Sequence, residues 1–145
     1  LAKDIAGIKI KIIHKEKRGS IMNFELADEY KDIQKVIRDF TESKIQPIAA
    51  ETDRTGEYPA ATIEELFNLG IMGINIPEEF GGAGMDALAS TLCIEEISKA
   101  CASTGDIVAT HNGLCCEPIF IHGTEEQKKK YLPMLTSGHK VGALL

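Results

Sequence analysis

The chain has 145 residues, of which 43% are hydrophobic and 26% are charged, ordinary values for a globular domain with its own core. The formal net charge of −6 argues against a general nucleic-acid binder, because such proteins neutralise phosphates with Lys and Arg. No apolar run approaches the roughly 20 residues that a membrane-spanning helix requires.

The first 20 residues differ in charge from the rest of the chain. They carry six Lys and Arg against two Asp and Glu, and isoleucines alternate with basic residues between Ile8 and Ile12. Three interpretations remain open: a basic arm for a membrane surface, an extra strand, or a non-native leader ahead of a start at Met22. We favour the last, which predicts that residues 1–21 are non-native or disordered.

A first amphipathic helix is predicted over residues 28–46. Apolar residues such as Ile33 and Ile37 recur at helical spacing, while charged residues occupy the other face. Pro47 is expected to end or kink this helix, which continues for another turn over residues 48–53 if it is only kinked.

A second helix is predicted over residues 61–69, with Gly70 as its left-handed stop. The apolar residues 71–77 predict a short, buried, extended segment. The glycine-rich residues 81–84 are better explained by a tight turn than by a phosphate cradle, because they lack the spacing of a phosphate-binding motif.

A third helix is predicted over residues 86–100, where the spacing of Leu88, Leu92, Ile97 and Cys101 places them on one face. The pair Glu95–Glu96 within it does not form a shared-proton site, because adjacent helical residues point in different directions. One acid is expected in solvent and the other in a salt bridge.

A fourth helix is expected to be capped by Ser103 or Thr104, to reach about Cys116 and to stop near Pro118. His111 lies in this helix among mostly apolar residues. A packed, hydrogen-bonded histidine is a better explanation there than a general base.

A fifth helix is predicted from residues 124–127, which have the capping-box form, to Leu135, with a kink at Pro133. Its lysines 128–130 are most simply a solvated face, with contact to a CoA phosphate as the rarer alternative. Residues 141–145 are predicted to begin a strand.

The chain has four cysteines. None is spaced as a zinc or redox motif, so we expect buried free thiols in a reducing cytoplasm and no metal site. The four are Cys93, Cys101, Cys115 and Cys116.

Eight short stretches carry a more specific signal. They are VIRDF (36–40), IQPIA (45–49), LGIMG (69–73), IPEEFGGAG (76–84), IEEIS (94–98), STG (103–105), HN (111–112) and GTEEQK (123–128). In this order and at this spacing they resemble the acyl-CoA dehydrogenase family across residues 23–145. The spacing from Thr104 to Pro118 is similar to the short-chain, butyryl-type branch.

The resemblance implies an all-α fold, the N-terminal helical domain of an acyl-CoA dehydrogenase, over residues 22–138. Residues 139–145 would then begin the middle β-domain, where the sequence stops. Members of the family hold FAD, oxidise an acyl-CoA to the 2-enoyl-CoA in fatty-acid β-oxidation, pass electrons to an electron-transferring flavoprotein and usually form homotetramers.

The resemblance also implies which residues face the ligands. One wall of the acyl pocket would come from the fourth helix, through Ile107, Val108, His111 and Leu114. The flavin-contacting strand would begin at Ala143, Leu144 and Leu145, although Ala143 replaces an aromatic residue that is common there. The family's catalytic Glu lies farther along the chain, so no residue of this sequence is assigned as the base.

Two further hypotheses remain open from the residues. One is a non-catalytic helical interaction module that reuses this domain. The other stays within the enzyme class: an enoyl-CoA reductase that runs the same chemistry backwards, or an oxidase that passes electrons to oxygen. In every case the 145-residue chain by itself is expected to be catalytically inactive and only marginally stable, with apolar helix faces left uncovered.

Overall fold

A computed structural model describes residues 25–143 of the chain, and within that range it contains helices and turns but no strand. The α-helices in chain order are α1 (Asp28–Phe40), α2 (Gln46–Thr55), α3 (Ala60–Asn68), α4 (Ala87–Ala100), α5 (Ala102–Ala109), α6 (Glu117–His122) and α7 (Glu125–Thr136). The predicted all-α fold class is therefore confirmed. The predicted leader, Leu144 and Leu145 lie outside the described residues.

Two π-helical segments each join two α-helices into one continuous helical run. Thr41–Ile45 joins α1 to α2 just ahead of Pro47, and Thr110–Cys116 joins α5 to α6 just ahead of Pro118. A proline ring clashes with the carbonyl four residues earlier and offers no N–H, so a regular helix cannot pass through it unchanged. The wider π turn accommodates each proline at the start of the next helix.

The expected stop of the fourth helix near Pro118 was wrong for this reason. Pro118 lies in the first turn of α6, where the missing N–H costs no hydrogen bond, and the helix continues to His122. The predicted caps were also wrong: α5 begins at Ala102, and its N-terminal flanking residue Cys101 makes no side-chain cap.

The segment predicted to be extended over residues 71–77 instead forms a series of tight turns. Its apolar side chains are buried as expected, but the Ile74 N–H donates to the Ile71 carbonyl and the Ile76 N–H donates to the Gly73 carbonyl. Gly73 has a φ of 116°, which only glycine adopts without strain, so the chain can turn within a buried segment.

The packing face of α4 is rotated relative to the prediction. Leu92, Ile97 and Cys101 are buried, but Leu88 is 43% exposed because the buried face is completed by Ala89 instead. The helix begins with a side-chain cap, in which Asp86 accepts the N–H of Ala89 at 3.0 Å.

The capping box that opens α7 is confirmed. Thr124 accepts the N–H of Gln127 at 3.2 Å, and the Gln127 side chain accepts the N–H of Thr124 at 2.8 Å. Pro133 lies inside this helix as expected. The strand predicted after it is absent from the described residues 141–143, which have no partner strand to pair with.

The buried apolar residues form two clusters. The larger one packs the faces of α1, α3, α4 and α5 around Ile37, Leu66 and Ile97. The smaller one lies under α7 and contains Ile76, Phe80, Cys116, Leu132 and Leu135. The second π-helical segment lies between the two clusters and supplies the candidate site.

Candidate functional site

His111 is a fully buried side chain at the centre of the second π-helical segment. Its Nδ1 accepts the backbone N–H of Gly142 at 2.9 Å, and its Nε2 lies 3.4 Å from the Cys116 thiol. The edge of the ring packs against Phe67, with 5.5 Å between ring centroids. The prediction of a packed, hydrogen-bonded histidine is confirmed.

The environment of His111 favours the neutral imidazole. Burial lowers the pKa of His111 to about 4, against a smaller opposing effect from the backbone of Leu135. Because Gly142 donates to Nδ1, that nitrogen carries no proton and the ring hydrogen is on Nε2. A neutral, enclosed imidazole of this kind is a structural hydrogen-bond acceptor rather than a general base.

The four predicted acyl-pocket residues face two directions. Val108 and His111 are fully buried and point into the domain, while Leu114 is 49% exposed and Ile107 is partly exposed beside the larger core. Ile107 and Leu114 thus reach the surface, whereas Val108 and His111 do not. Contact of these residues with an acyl chain stays a prediction.

The segment after α7 carries the predicted flavin contact. It is fixed at Gly142, where an added Cβ would lie 2.1 Å from the Cys115 thiol and 3.3 Å from Leu135. The next residue, Ala143, is exposed. Its contact with flavin stays a prediction, as does that of Leu144 and Leu145.

Asn112 is a buried residue whose role the sequence analysis missed. Its Oδ1 accepts the N–H of Gly73 at 2.6 Å, and its Nδ2 donates to the carbonyl of Ile71 at 2.9 Å. The amide therefore satisfies the backbone of the buried turn, which has no strand to pair with. The signal in the sequence was the amide side chain of Asn112 itself, since a strongly polar residue in a mostly apolar helix needs hydrogen-bond partners.

Glu96 forms a second buried polar cluster, which lies between α1 and α4. Arg38 donates to both of its carboxylate oxygens, at 2.9 and 3.1 Å, and Lys99 donates at 2.7 Å. These contacts lower the pKa of Glu96 to about 2, and the hydrogen bonds from Arg38 have the largest effect. Glu95 is half-exposed and also pairs with Lys99, so the carboxylates are structural ion-pair partners and do not share a proton.

The remaining candidate features have structural roles. The glycine-rich residues 81–84 form the expected tight turn, with Gly81 and Gly84 at positive φ. Lys128 pairs with Glu125 and lies over the ring of Phe120.

The four cysteines are unpaired, and burial raises the pKa of Cys93 and of Cys116 to about 12. These two thiols are thus protonated and unreactive at neutral pH. Within residues 25–143, no group of three His, Cys, Asp or Glu side chains is placed to hold a metal ion, and none of the helices there is long and apolar enough to cross a membrane.

The family profile for the N-terminal domain of acyl-CoA dehydrogenases matches residues 27–139. The chain belongs to the acyl-CoA dehydrogenase family. Among its relatives, it is 43% identical over 122 residues to the short-chain specific acyl-CoA dehydrogenase of Clostridium acetobutylicum and 43% identical over 118 residues to the mitochondrial short-chain enzyme of Bos taurus. These alignments cover 84% and 81% of this chain.

Solved structures agree with this acyl-CoA dehydrogenase fold. Butyryl-CoA dehydrogenase from Megasphaera elsdenii superposes with a TM-score of 0.75 at 38% identity, over 83% of this chain and 32% of that one. A glutaryl-CoA dehydrogenase from Mycobacterium smegmatis, solved in complex with FADH2, gives a TM-score of 0.75 at 26% identity, over 80% of this chain and 30% of that one. The chain spans about a third of the length of the relatives and structures that it matches.

Proposed function

We propose that this chain is the N-terminal helical domain of an FAD-dependent acyl-CoA dehydrogenase that oxidises short-chain acyl-CoA to the 2-enoyl-CoA. The observation that carries the proposal is the match over residues 27–139 together with 43% identity to relatives described as short-chain specific. In this proposal the catalytic Glu belongs to a part of the protein that this chain does not include, as the resemblance to the family implies. By itself the 145-residue chain would be inactive.

In this proposal the domain contributes a wall for the alkyl chain. Leu114 on the second π-helical segment and Ile107 on α5 would offer apolar surface, as a short alkyl chain requires. Val108 and His111 support them from the interior. Because Leu114 lies in a π-helical turn, its direction is set by the backbone irregularity that Pro118 imposes.

In the same proposal a flavin would lie at the end of the domain, next to Ala143. Ala143 is small and exposed, so its backbone is open to a planar ring, and the segment is anchored one residue earlier at Gly142. Bound FAD would accept the β-hydrogen of the substrate as a hydride while the Glu takes the α-proton, which leaves a carbon–carbon double bond. Burial of the alkyl chain would desolvate that carboxylate and raise its pKa toward neutrality.

Partners and location follow from the same proposal. The reduced enzyme would pass its electrons to an electron-transferring flavoprotein. A structure of the electron-transferring flavoprotein of Acidaminococcus fermentans superposes on this chain with a TM-score of 0.78 at 36% identity. A homotetramer is proposed by analogy with the family. The four unpaired thiols favour a reducing compartment such as the cytoplasm.

A reductase is the second candidate. The acryloyl-CoA reductase (NADH) of Anaerotignum propionicum is 36% identical over 129 residues of this chain. Such an enzyme performs the same bond changes in the opposite direction, so a wall of the same shape serves both.

The test uses the full-length gene product. We expect a yellow protein whose flavin absorbance bleaches on anaerobic addition of butyryl-CoA. Bleaching by NADH and recovery on addition of a short 2-enoyl-CoA would favour the reductase instead. A protein that takes up neither FAD nor acyl-CoA would be the non-catalytic module.

A matched pair of variants tests the wall. Leu114→Phe should raise the KM for acyl-CoA, more steeply for longer chains, because a larger side chain shortens the pocket. Leu88→Phe is the control, since Leu88 is a similarly exposed leucine on α4, 43% against 49%. Equal effects of the two variants on KM would argue against a pocket at Leu114.

A further inference from the structure

The hydrogen bond between Gly142 and His111 joins the two halves of the candidate site. Its donor lies in the segment that leads to the predicted flavin contact, and its acceptor lies on the helix that carries the predicted alkyl wall. The two residues are 31 positions apart in sequence, so the bond is a tertiary contact. The described residues 140–143 form no strand, and their backbone is held by this bond and by the Lys140 N–H, which donates to the Met134 carbonyl.

The acceptor is held rigidly. The imidazole of His111 is fully buried, with Cys116 beside its Nε2 and Phe67 against its edge, so the ring has no room to rotate away from Gly142. A hydrogen-bond acceptor placed this way restricts where its donor can lie.

Close packing also restricts the donor residue, Gly142. Gly142 approaches Cys115 so closely that a Cβ would lie 2.1 Å from the thiol sulfur and 2.7 Å from the Cys115 Cβ. Its φ is not in the left-handed region, so glycine is required here by the close approach and not by backbone conformation. Hydrogen bonding and packing therefore locate the same residue independently.

We propose that His111 is a positioning residue for the cofactor: it holds Gly142, and thereby sets where the exposed backbone at Ala143 meets the flavin ring. This inference rests on the proposed function. It is separate from the prediction that His111 lines the acyl pocket, because in this role the buried imidazole acts through the backbone segment and not by contact with the flavin.

The experiment uses the full-length holoprotein and two substitutions of His111. His111→Leu removes the acceptor and keeps an apolar side chain in the core. His111→Asn retains an acceptor at the δ position, where its Oδ1 can take the Gly142 N–H. Each variant is titrated with FAD, the visible flavin spectrum is recorded, and far-ultraviolet circular dichroism reports the helical content.

We expect His111→Leu to weaken FAD binding on the order of five- to tenfold and to shift the flavin absorbance bands, as loss of one buried hydrogen bond predicts. His111→Asn should restore most of the affinity and the spectrum. Gly142→Ala should reproduce the Leu variant with His111 intact, because its Cβ would push the segment off Cys115. This second route keeps the inference testable even where His111→Leu fails to fold.

The outcomes separate the inference from the proposed function. A wild-type protein that binds no flavin contradicts the proposed function, whatever His111 does. A wild-type protein that binds FAD, with His111→Leu or Gly142→Ala unchanged in affinity and spectrum, overturns the positioning role alone. An Asn variant as impaired as the Leu variant, with native helical content in both, overturns it too, because the acceptor would then be irrelevant.

Discussion

Glu96 illustrates how a buried charge is tolerated at the scale of one residue. Its side chain is 2% exposed, yet Arg38 and Lys99 place donors on its oxygens, and both partners remain about half in solvent. The ion pair therefore desolvates one carboxylate fully but its cations only in part, which keeps the cost of burial low. The pair also ties α1 to α4.

The depressed pKa of Glu96 makes stability depend on pH in a defined direction. Its pKa falls from an ordinary value of 4.5 to about 2, so its contribution is complete above 4.5 and is lost as pH falls towards 2. We expect Glu96→Gln to lower the free energy of unfolding near neutral pH by about 2 kcal/mol, a value reduced to allow for the exposed partners. It should also flatten the pH dependence between these limits. Urea unfolding near neutral pH and at about pH 3 measures both effects.

Glu95→Gln is the matched control for this prediction. It removes the same charge from the neighbouring position, where the carboxylate is half-exposed and forms an ion pair with Lys99. Its cost should stay below about 0.5 kcal/mol. Equal costs for the two variants would mean that burial of Glu96 has no energetic consequence.

Individual side-chain roles were predictable to different degrees. A packed His111 followed from its apolar neighbours, but its bond to Gly142 did not, because that contact spans 31 residues and depends on the path of the chain after α7. The partners of Asn112 were unpredictable for the same reason. Sequence spacing reports local geometry, whereas these contacts depend on tertiary packing.

At the scale of elements, the helices and their apolar faces were mostly predictable, and the irregular connections were not. Pro47 and Pro118 both indicated a break, but a proline is equally compatible with an end, a kink or a π turn. The buried turn over residues 71–77 was mistaken for an extended segment, since a short apolar run has no distinguishing period. Leu88 was wrongly placed in the core because the sequence pattern did not show which of the neighbouring residues 88 and 89 points inward.

The start of α7 was predicted from its capping box, which is a signal in the local sequence. Thr124→Ala should destabilise the domain by about 1 kcal/mol, because the N–H of Gln127 loses its acceptor. Thr124→Ser, which keeps the hydroxyl, should restore most of the loss. The midpoint of urea unfolding followed by circular dichroism measures both. A negligible cost for Thr124→Ala would mean that α7 is held by packing alone.

At the scale of the whole molecule, the described domain divides at the start of the second π-helical segment into what we call the first half, residues 25–109, and the second half, residues 110–143. The two are unequal. The first half has the larger core, while the second half rests on a cluster of five buried residues. Several apolar side chains on the second half remain exposed. They are Leu114, Ile121, Tyr131, Met134 and Val141, whereas the longer first half exposes Ile48, Tyr58 and Leu88.

This asymmetry predicts how the 145-residue chain behaves by itself. Exposed apolar side chains grouped on one half of a domain favour association, because each contact removes apolar area from water. We expect the isolated chain to bind a hydrophobic dye and to self-associate with rising concentration in sedimentation velocity. Ile121→Gln combined with Met134→Gln should reduce both signals. Ile48→Gln combined with Leu88→Gln, at similarly exposed sites on the first half, should reduce them less. A monodisperse monomer that binds no dye would mean that the second half needs no covering surface, and the case for it as an interface to the rest of an acyl-CoA dehydrogenase would be lost.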